Sequence, residues 1–293
     1  MVGEGALRFQ LLRRIKGWRC ATVESTRIGK YLASGRRPWA EGYLEYKEKV
    51  LPEVLGDREL MGCFAQQREL PPNYGFRLDE RIVEYPWVLG RLDTVDHVLL
   101  DAGSALNHEF ILELPMLRSR SIVTYNLSPE GFVGRNNVSF IYGDLRHTIL
   151  KNECFDEIVC ISTLEHIGMN NTFLYSKDPR FEEFRPDDYQ DVVREFKRLM
   201  RPCGKLFITV PYGRYENLGW LQQFDHKRIE TVLEVFGGSA SSVTYYKYSA
   251  DSWQVTDADA CVNSSYFDIH HRSDYEPDYV AAARARACIE LAK

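Results

Sequence analysis

The chain has 293 residues, 44% of them hydrophobic and 27% charged, with a net charge of −5, enough for one large core or a core plus a smaller appendage. No apolar stretch approaches the length of a membrane span, no secretory segment follows Met1, and the seven scattered cysteines contain no CxxC pair. Composition therefore argues against a transmembrane protein, a disulfide scaffold and a zinc site, and points to free thiols in a reducing cytoplasm.

Residues 1–40 carry nine Lys/Arg against Glu4 and Glu24, a net of about +7 that leaves about −12 for the remainder. The acidic remainder argues against broad nucleic-acid affinity. Residues 1–90 read as an N-terminal, mainly helical or irregular extension, with turn signals at Gly35, Pro38, Gly42, Pro71-Pro72-Asn73 and Gly75. Helices are expected around 6–16 and 41–55. In the first, Phe9, Leu11, Leu12 and Ile15 alternate with Arg13, Arg14 and Lys16. Such a segment suits a weak contact with an anionic membrane surface, a solvated arm or a homodimer contact.

A composition change near Leu92-Asp93 opens a region, 91–293, that reads as α/β. Strands are expected at 96–101, 121–126, 138–142, 155–161 and 205–210, with helices at 107–118 and 187–200. Asp225 is placed to cap a helix running to Phe236, which Gly237-Gly238 closes. A β-rich stretch, Val243–Tyr248, and a last apolar run, 288–292, complete a mostly parallel sheet with an antiparallel edge.

Two apolar runs stand out because each stops on polar residues. Val98-Leu99-Leu100 ends on Asp101-Ala102-Gly103, and Ile158-Val159-Cys160-Ile161 ends on Ser162-Thr163-Leu164-Glu165-His166. Ligands of parallel sheets lie off the carboxyl ends of such strands, so the first and fourth tips are expected to converge on one pocket.

Five pieces now agree in order: Asp101-Ala102-Gly103, Asn126-Leu127-Ser128-Pro129, Gly143-Asp144-Leu145, Phe155-Asp156 leading to Ser162–Gly168, and Leu199–Leu206 with Val210-Pro211-Tyr212-Gly213. Over residues 92–293 the succession resembles class I S-adenosylmethionine-dependent methyltransferases. It looks most similar to bacterial members that accompany surface-polysaccharide or other glycan biosynthesis. The run Asp79-Glu80-Arg81-Ile82-Val83-Glu84-Tyr85-Pro86-Trp87 shares in that likeness.

The resemblance implies a Rossmann-like, mostly parallel seven-stranded sheet with an antiparallel edge, and S-adenosyl-L-methionine as cofactor. Asp101, Gly103, Ser104, Asn126, Leu127, Asp144, Leu145 and Ser162 would then be the cofactor residues. Asp101 would orient its loop or meet the ammonium, or simply cap the loop. Asp144 would accept from the adenine amino group while Leu145 offers its backbone N–H. His166 is the expected general base, because imidazole titrates near neutrality, with Glu165 beside it placed for substrate or cofactor amino groups. No residue pattern suggests a metal.

Substrate contacts are expected from Tyr212, Arg214, Asp225, His226, Trp253 and His270, since aromatics with polar neighbours suit sugar faces. The implied activity is O-methylation of a hydroxyl on a sugar, a glycan or a small metabolite. Two departures motivate the alternative of a catalytically silent binding or scaffolding subunit. The first loop has Ala105 and Asn107 where that family usually has glycines, and Asn126 stands where it usually has an acid.

Overall fold

The computed structural model describes residues 24–93, 97–131, 133–172, 174–175, 178–238 and 240–293. The amphipathic segment expected around 6–16 lies outside them. Two compact units are present, Met1–Val54 and Leu55–Lys293. In the first, α1 (24–33) leads to the start of α2 (Tyr43–Gly56), and buried Tyr31 packs edge-on to Tyr43 at 5.8 Å.

In the second unit, α3 (Arg58–Ala65) and α4 (Arg81–Leu89) precede β1 (Val98–Ala102). Two short helices come next, α5 (Glu109–Leu112) and α6 (Pro115–Arg118), then β2 (Ser121–Asn126), β3 (Val138–Tyr142) and β4 (Phe155–Ile161). The single helix expected over 107–118 is split because Pro115 brings no N–H and begins a new first turn. A 3-10 turn (Leu164–His166), another at Pro179–Phe181 and α7 (Tyr189–Leu199) lead into β5 (Met200–Pro211). A small hairpin of β6 (Glu216–Asn217) and β7 (Gln222–Gln223) precedes α8 (His226–Phe236), β8 (Ala240–Ser249), β9 (Ser252–Thr256), α9 (Ala258–Cys261) and β10 (Ala285–Ala292).

The main sheet has eight strands in the order β3-β2-β1-β4-β5-β10-β8-β9, one more than expected. The first five are parallel, while β10 runs antiparallel to both its neighbours. The extra strand is β9, which turns back on β8 through Ala250 at φ +54°. The architecture is Rossmann-like, with the chain order reversing between β1 and β4.

Alternation along the strands assigns the two faces. Leu206 and Ile208 of β5, Ile158 and Cys160 of β4, and Ala287 and Ile289 of β10 join one core with α7 and α8. On the other face Phe207 meets Trp87 of α4, ring centroids 6.1 Å apart. Thr209 and Arg286, two residues from Phe207 and Cys288, share that face and bond Glu84 of the same helix. Residues 55–90, grouped by sequence with the N-terminal extension, thus belong to the larger unit because α4 is a layer of it.

Candidate active site at the strand tips

A cavity of about 280 Å³ opens off the carboxyl ends of the four strands β3, β2, β1 and β4. Its wall takes Gly103 after β1, Asn126 at the end of β2 and Leu127 after it, Gly143 to Arg146 after β3, and Ser162, Thr163, His166, Ile167 and Gly168 after β4. This is the crevice at which the strand order reverses, the preferred ligand position of open α/β sheets. Of the cofactor, catalytic and substrate positions expected from sequence, those bordering these four strands carry the cavity. They are Gly103, Asn126, Leu127, Asp144, Leu145, Ser162 and His166.

Gly103 sits at φ +101°, and a Cβ there would lie 2.0 Å from Thr163 Oγ1. The residue therefore has to be glycine for the tips of β1 and β4 to meet. Asp101 and Ser104 do not line the cavity. Asp101 is fully buried and its Oδ2 accepts from Leu106 N at 3.0 Å, holding the loop from behind. Burial pushes its carboxyl up to about 7, against the bonds from the loop amides. Ser104 is buried at φ +63°.

Asn126 accepts from Leu127 N at 2.9 Å through Oδ1, which leaves its NH₂ as the available donor at the cavity wall. Asp144 takes both ends of the Arg146 guanidinium at 2.6 to 3.0 Å, and Arg146 also reaches Asp188 at 2.6 Å and Glu183 at 2.9 Å. Burial opposes the charge on Asp144, but Arg146 outweighs it and keeps the carboxyl ionised below its ordinary range. The Leu145 N–H at the same wall donates to no other described residue.

His166 is held by its Nδ1, which lies 3.0 Å from the carbonyl oxygen of Trp220. A carbonyl can only accept, so Nδ1 carries the proton and Nε2 keeps its lone pair. Burial, with the positive charges of Arg81 and Arg286, lowers the imidazole to about 4 despite the Trp220 bond. The ring is neutral at pH 7. Its neighbour Glu165 points away from the cavity into the buried layer under α4, where Arg286 Nη2 lies 3.4 Å from Oε1. Burial raises that carboxyl to about 7 even with Arg286 beside it.

The substrate positions expected on the other half of the sheet have different surroundings. Tyr212 is buried against Tyr245 at 4.7 Å, and Trp253 is buried with Nε1 donating to Leu78 O at 3.0 Å. Arg214 is exposed, with its backbone bonded to Ser264. Asp225 caps α8 by accepting from Arg228 N at 3.1 Å, and His226 pairs with Glu230 at 3.2 Å on the surface. His270 stands edge-on to Trp220 at 5.0 Å, one ring removed from His166. Packing, capping and solvent account for these six, and none lines the cavity.

Sequence reasoning missed the far wall, formed by Asn171, Leu174, Tyr175 and Glu183. These come after Gly168, whose φ of +73° lets the chain pass Arg185 O where a Cβ would come within 1.9 Å. That glycine was the available signal. Among the described residues one group has metal-ligand spacing, Asp93, His97 and Glu157. Glu157 already faces the buried Arg120, and Asp93 holds Lys205 at 2.7 Å.

No family model matches the chain, and no curated protein does. Among solved structures it is similar to a Haemonchus contortus phosphoethanolamine N-methyltransferase 2 bound to phosphomonomethylethanolamine and S-adenosylhomocysteine. There it shows 13% identity and a TM-score of 0.39, over 53% of this chain and 36% of that one. The chain thus spans about a third of that protein's length. A Burkholderia thailandensis 1,6-didemethyltoxoflavin-N1-methyltransferase, also with S-adenosylhomocysteine, matches at 14% identity and TM-score 0.40, covering 94% and 89%. A Haloferax volcanii methyltransferase in complex with its Trm112 activator matches at 13% identity and TM-score 0.43, covering 83% and 97%. These likenesses are distant, and the functional reading rests on the cavity's own residues.

Proposed function

We propose that the protein is an S-adenosylmethionine-dependent methyltransferase that methylates a hydroxyl of a sugar, glycan or small metabolite, with His166 as general base. The observation that carries this reading is the convergence of four consecutive strand tips on one cavity containing a neutral histidine with a free Nε2. The donor set suits an adenosyl group. Asn126 offers an amide to ribose hydroxyls, the unengaged Leu145 N–H and the Asp144 carboxylate offer a donor and an acceptor to adenine, and Gly103 lets a ligand approach the backbone closely.

When bound, the cofactor supplies a methyl group on an electrophilic sulfonium. The chain's own contribution is orientation and proton transfer. His166 Nδ1 is committed to Trp220 O, so the ring is fixed in one tautomer with its lone pair on Nε2, in a side chain that lines the cavity. Arg146 ties Asp144 to Glu183 and Asp188, so Glu183 of the far wall is fixed to the loop after β3.

Calorimetry with S-adenosylhomocysteine tests the binding half, and His166→Ala tests the chemistry. We expect micromolar binding by the parent. In the variant we expect turnover to fall about 10²–10⁴-fold with ligand affinity within a few-fold. A variant that turns over at the parental rate removes His166 from the mechanism. The alternative, a silent binding or scaffolding subunit, draws on Asn126 and Ala105, which give up charge assistance to the ribose and one flexible loop position. No heat at millimolar cofactor would favour it.

A further inference from the structure

The cavity exists only if the tips of β1 and β4 stand at a fixed separation, and both are tied to one helix, α4. Tyr85 Oη donates to the carbonyl of Ala105 in the β1 loop at 2.9 Å. The preceding residue, Glu84, has a fully buried carboxylate directed at the β4 tip. Its Oε1 accepts from Ser162 Oγ at 2.9 Å, from Thr209 Oγ1 at 2.6 Å and from Arg286 Nη2. Its Oε2 accepts from Arg81 Nη1 at 2.5 Å. Successive helical residues point about 100° apart, so one turn of α4 serves both loops.

Neither tip would hold its conformation unaided. Ser162 lies at φ +45°, the left-handed region that a serine adopts only when its surroundings impose it. The imposing contacts are its Oγ bond to Glu84, a bond from Arg286 Nη2, and its N–H bond to Thr209 O at 3.1 Å. In the β1 loop Ser104 lies at φ +63°, and a side chain from outside the loop holds the carbonyl of the next residue, Ala105. Burial opposes the charge on Glu84, yet Arg286 and Arg81 together with the Thr209 hydroxyl hold it down at about 2. The latch is therefore charged throughout the physiological range.

We propose that Glu84 and Tyr85 are positioning residues that set the width of the cavity by clamping the β4 and β1 tips to α4. Neither lines the cavity. The clamp rests on the methyltransferase reading only for its effect on cofactor, whereas its effect on the loops stands without it. It also gives a physical role to the Asp79–Trp87 run, which the cavity itself does not use.

The test uses full-length Tyr85→Phe and Glu84→Gln. The first removes one hydroxyl and keeps the ring; it serves if loss of the buried charge prevents Glu84→Gln from folding. Hydrogen exchange of the ligand-free proteins is measured over residues 103–107 and 162–167. We expect Tyr85→Phe to speed exchange in 103–107 by about tenfold at a melting temperature close to the parent's. We expect Glu84→Gln, which leaves the buried Arg286 short of a counter-charge, to do so in 162–167 relative to the rest of the chain at a lowered one. With S-adenosylhomocysteine as probe, each variant's dissociation constant should rise about tenfold. In steady state the KM for the methyl donor should rise similarly while kcat stays within about twofold. Unchanged exchange in both loops of a folded variant overturns the clamp, whatever the protein binds. If the parent does not bind the probe while the exchange changes appear, the methyltransferase reading fails and the clamp stands.

Discussion

The two halves of the sheet present equally promising side chains at their ends, and they use them differently. On the half β3-β2-β1-β4, short polar runs come after each strand and gather at one cavity. On the half β5-β10-β8-β9, Tyr212 directly follows a strand, Trp253 lies inside β9 and Asp225 precedes α8, and they are spent on ring packing, a buried backbone bond and a helix cap. The difference comes from connectivity. In parallel strands every carboxyl end lies on the same edge, so the residues after each apolar run must arrive at that edge. β5 is parallel as well, but after its end Tyr212 bridges Phe224 and packs on Tyr245, and beyond β5 the chain direction alternates, so side chains fall on whichever face the register gives them.

Gly103→Ala attacks the cavity half most directly and should have the largest effect on the structure. The new Cβ would lie 2.0 Å from Thr163 Oγ1 at a φ of +101°. Either β1 and β4 part or the loop leaves its left-handed conformation. Strain and overpacking together should cost about 2–4 kcal/mol and abolish adenosyl binding. Thermal melts with and without S-adenosylhomocysteine read both effects. Parental melting with an intact ligand shift would show that the tips are not in contact there.

Legibility in the sequence divides along the same line. The bounds of β2, β3 and β4 match the expected 121–126, 138–142 and 155–161. The strand β4 and the end of β2 are buried and read as hydrophobic segments, while β3 is the edge strand with Ser139 and Tyr142 exposed. Gly103, Asn126, Asp144, Ser162 and His166 can be picked as one group because each ends such a run or follows it within five residues. The network behind them cannot. Glu84 and Arg286 are 202 residues apart, and nothing local to either says that they meet. Adjacency pairs Glu165 with His166, whereas the 3-10 turn sends the two side chains to opposite sides of the β4 tip. The strand β9 is hidden because its hairpin turns on Ala250 at φ +54°, with no Asn-Gly or Asp-Gly signal.

The position of Glu165 gives a smaller effect with a definite pH dependence. Its carboxyl ionises near 7 in the folded chain, raised by burial from its ordinary 4.5 despite Arg286. Between these values the folded state holds a proton that the unfolded state has released. Its contribution is therefore fully present below about 4.5 and is lost as pH rises through 7. Glu165→Gln keeps the protonated shape and cannot ionise. Relative to the parent, its stability should improve as pH rises from 4.5 to 8, by on the order of 2 kcal/mol. Denaturant melts at both pH values measure this change. A difference that does not vary with pH would mean that the carboxyl titrates normally, and would place it in contact with water.

The smallest effect is expected on the other half of the sheet, at His226. Its place at the opening of a helix makes it a substrate candidate by sequence. Its side chain is 65% exposed, and its partner Glu230 lies 3.2 Å away on the same helix face. An exposed pair of this kind contributes at most a few tenths of a kcal/mol, while the cap that starts α8 belongs to Asp225. His226→Ala should therefore leave stability within about 0.5 kcal/mol and leave both KM values and kcat within twofold. A selective rise in the acceptor KM at unchanged stability would break the division between the halves. It would mean that the acceptor reaches across the tip of β5 to the start of α8, and that the cavity described by the parallel strands holds only the cofactor's share of the site.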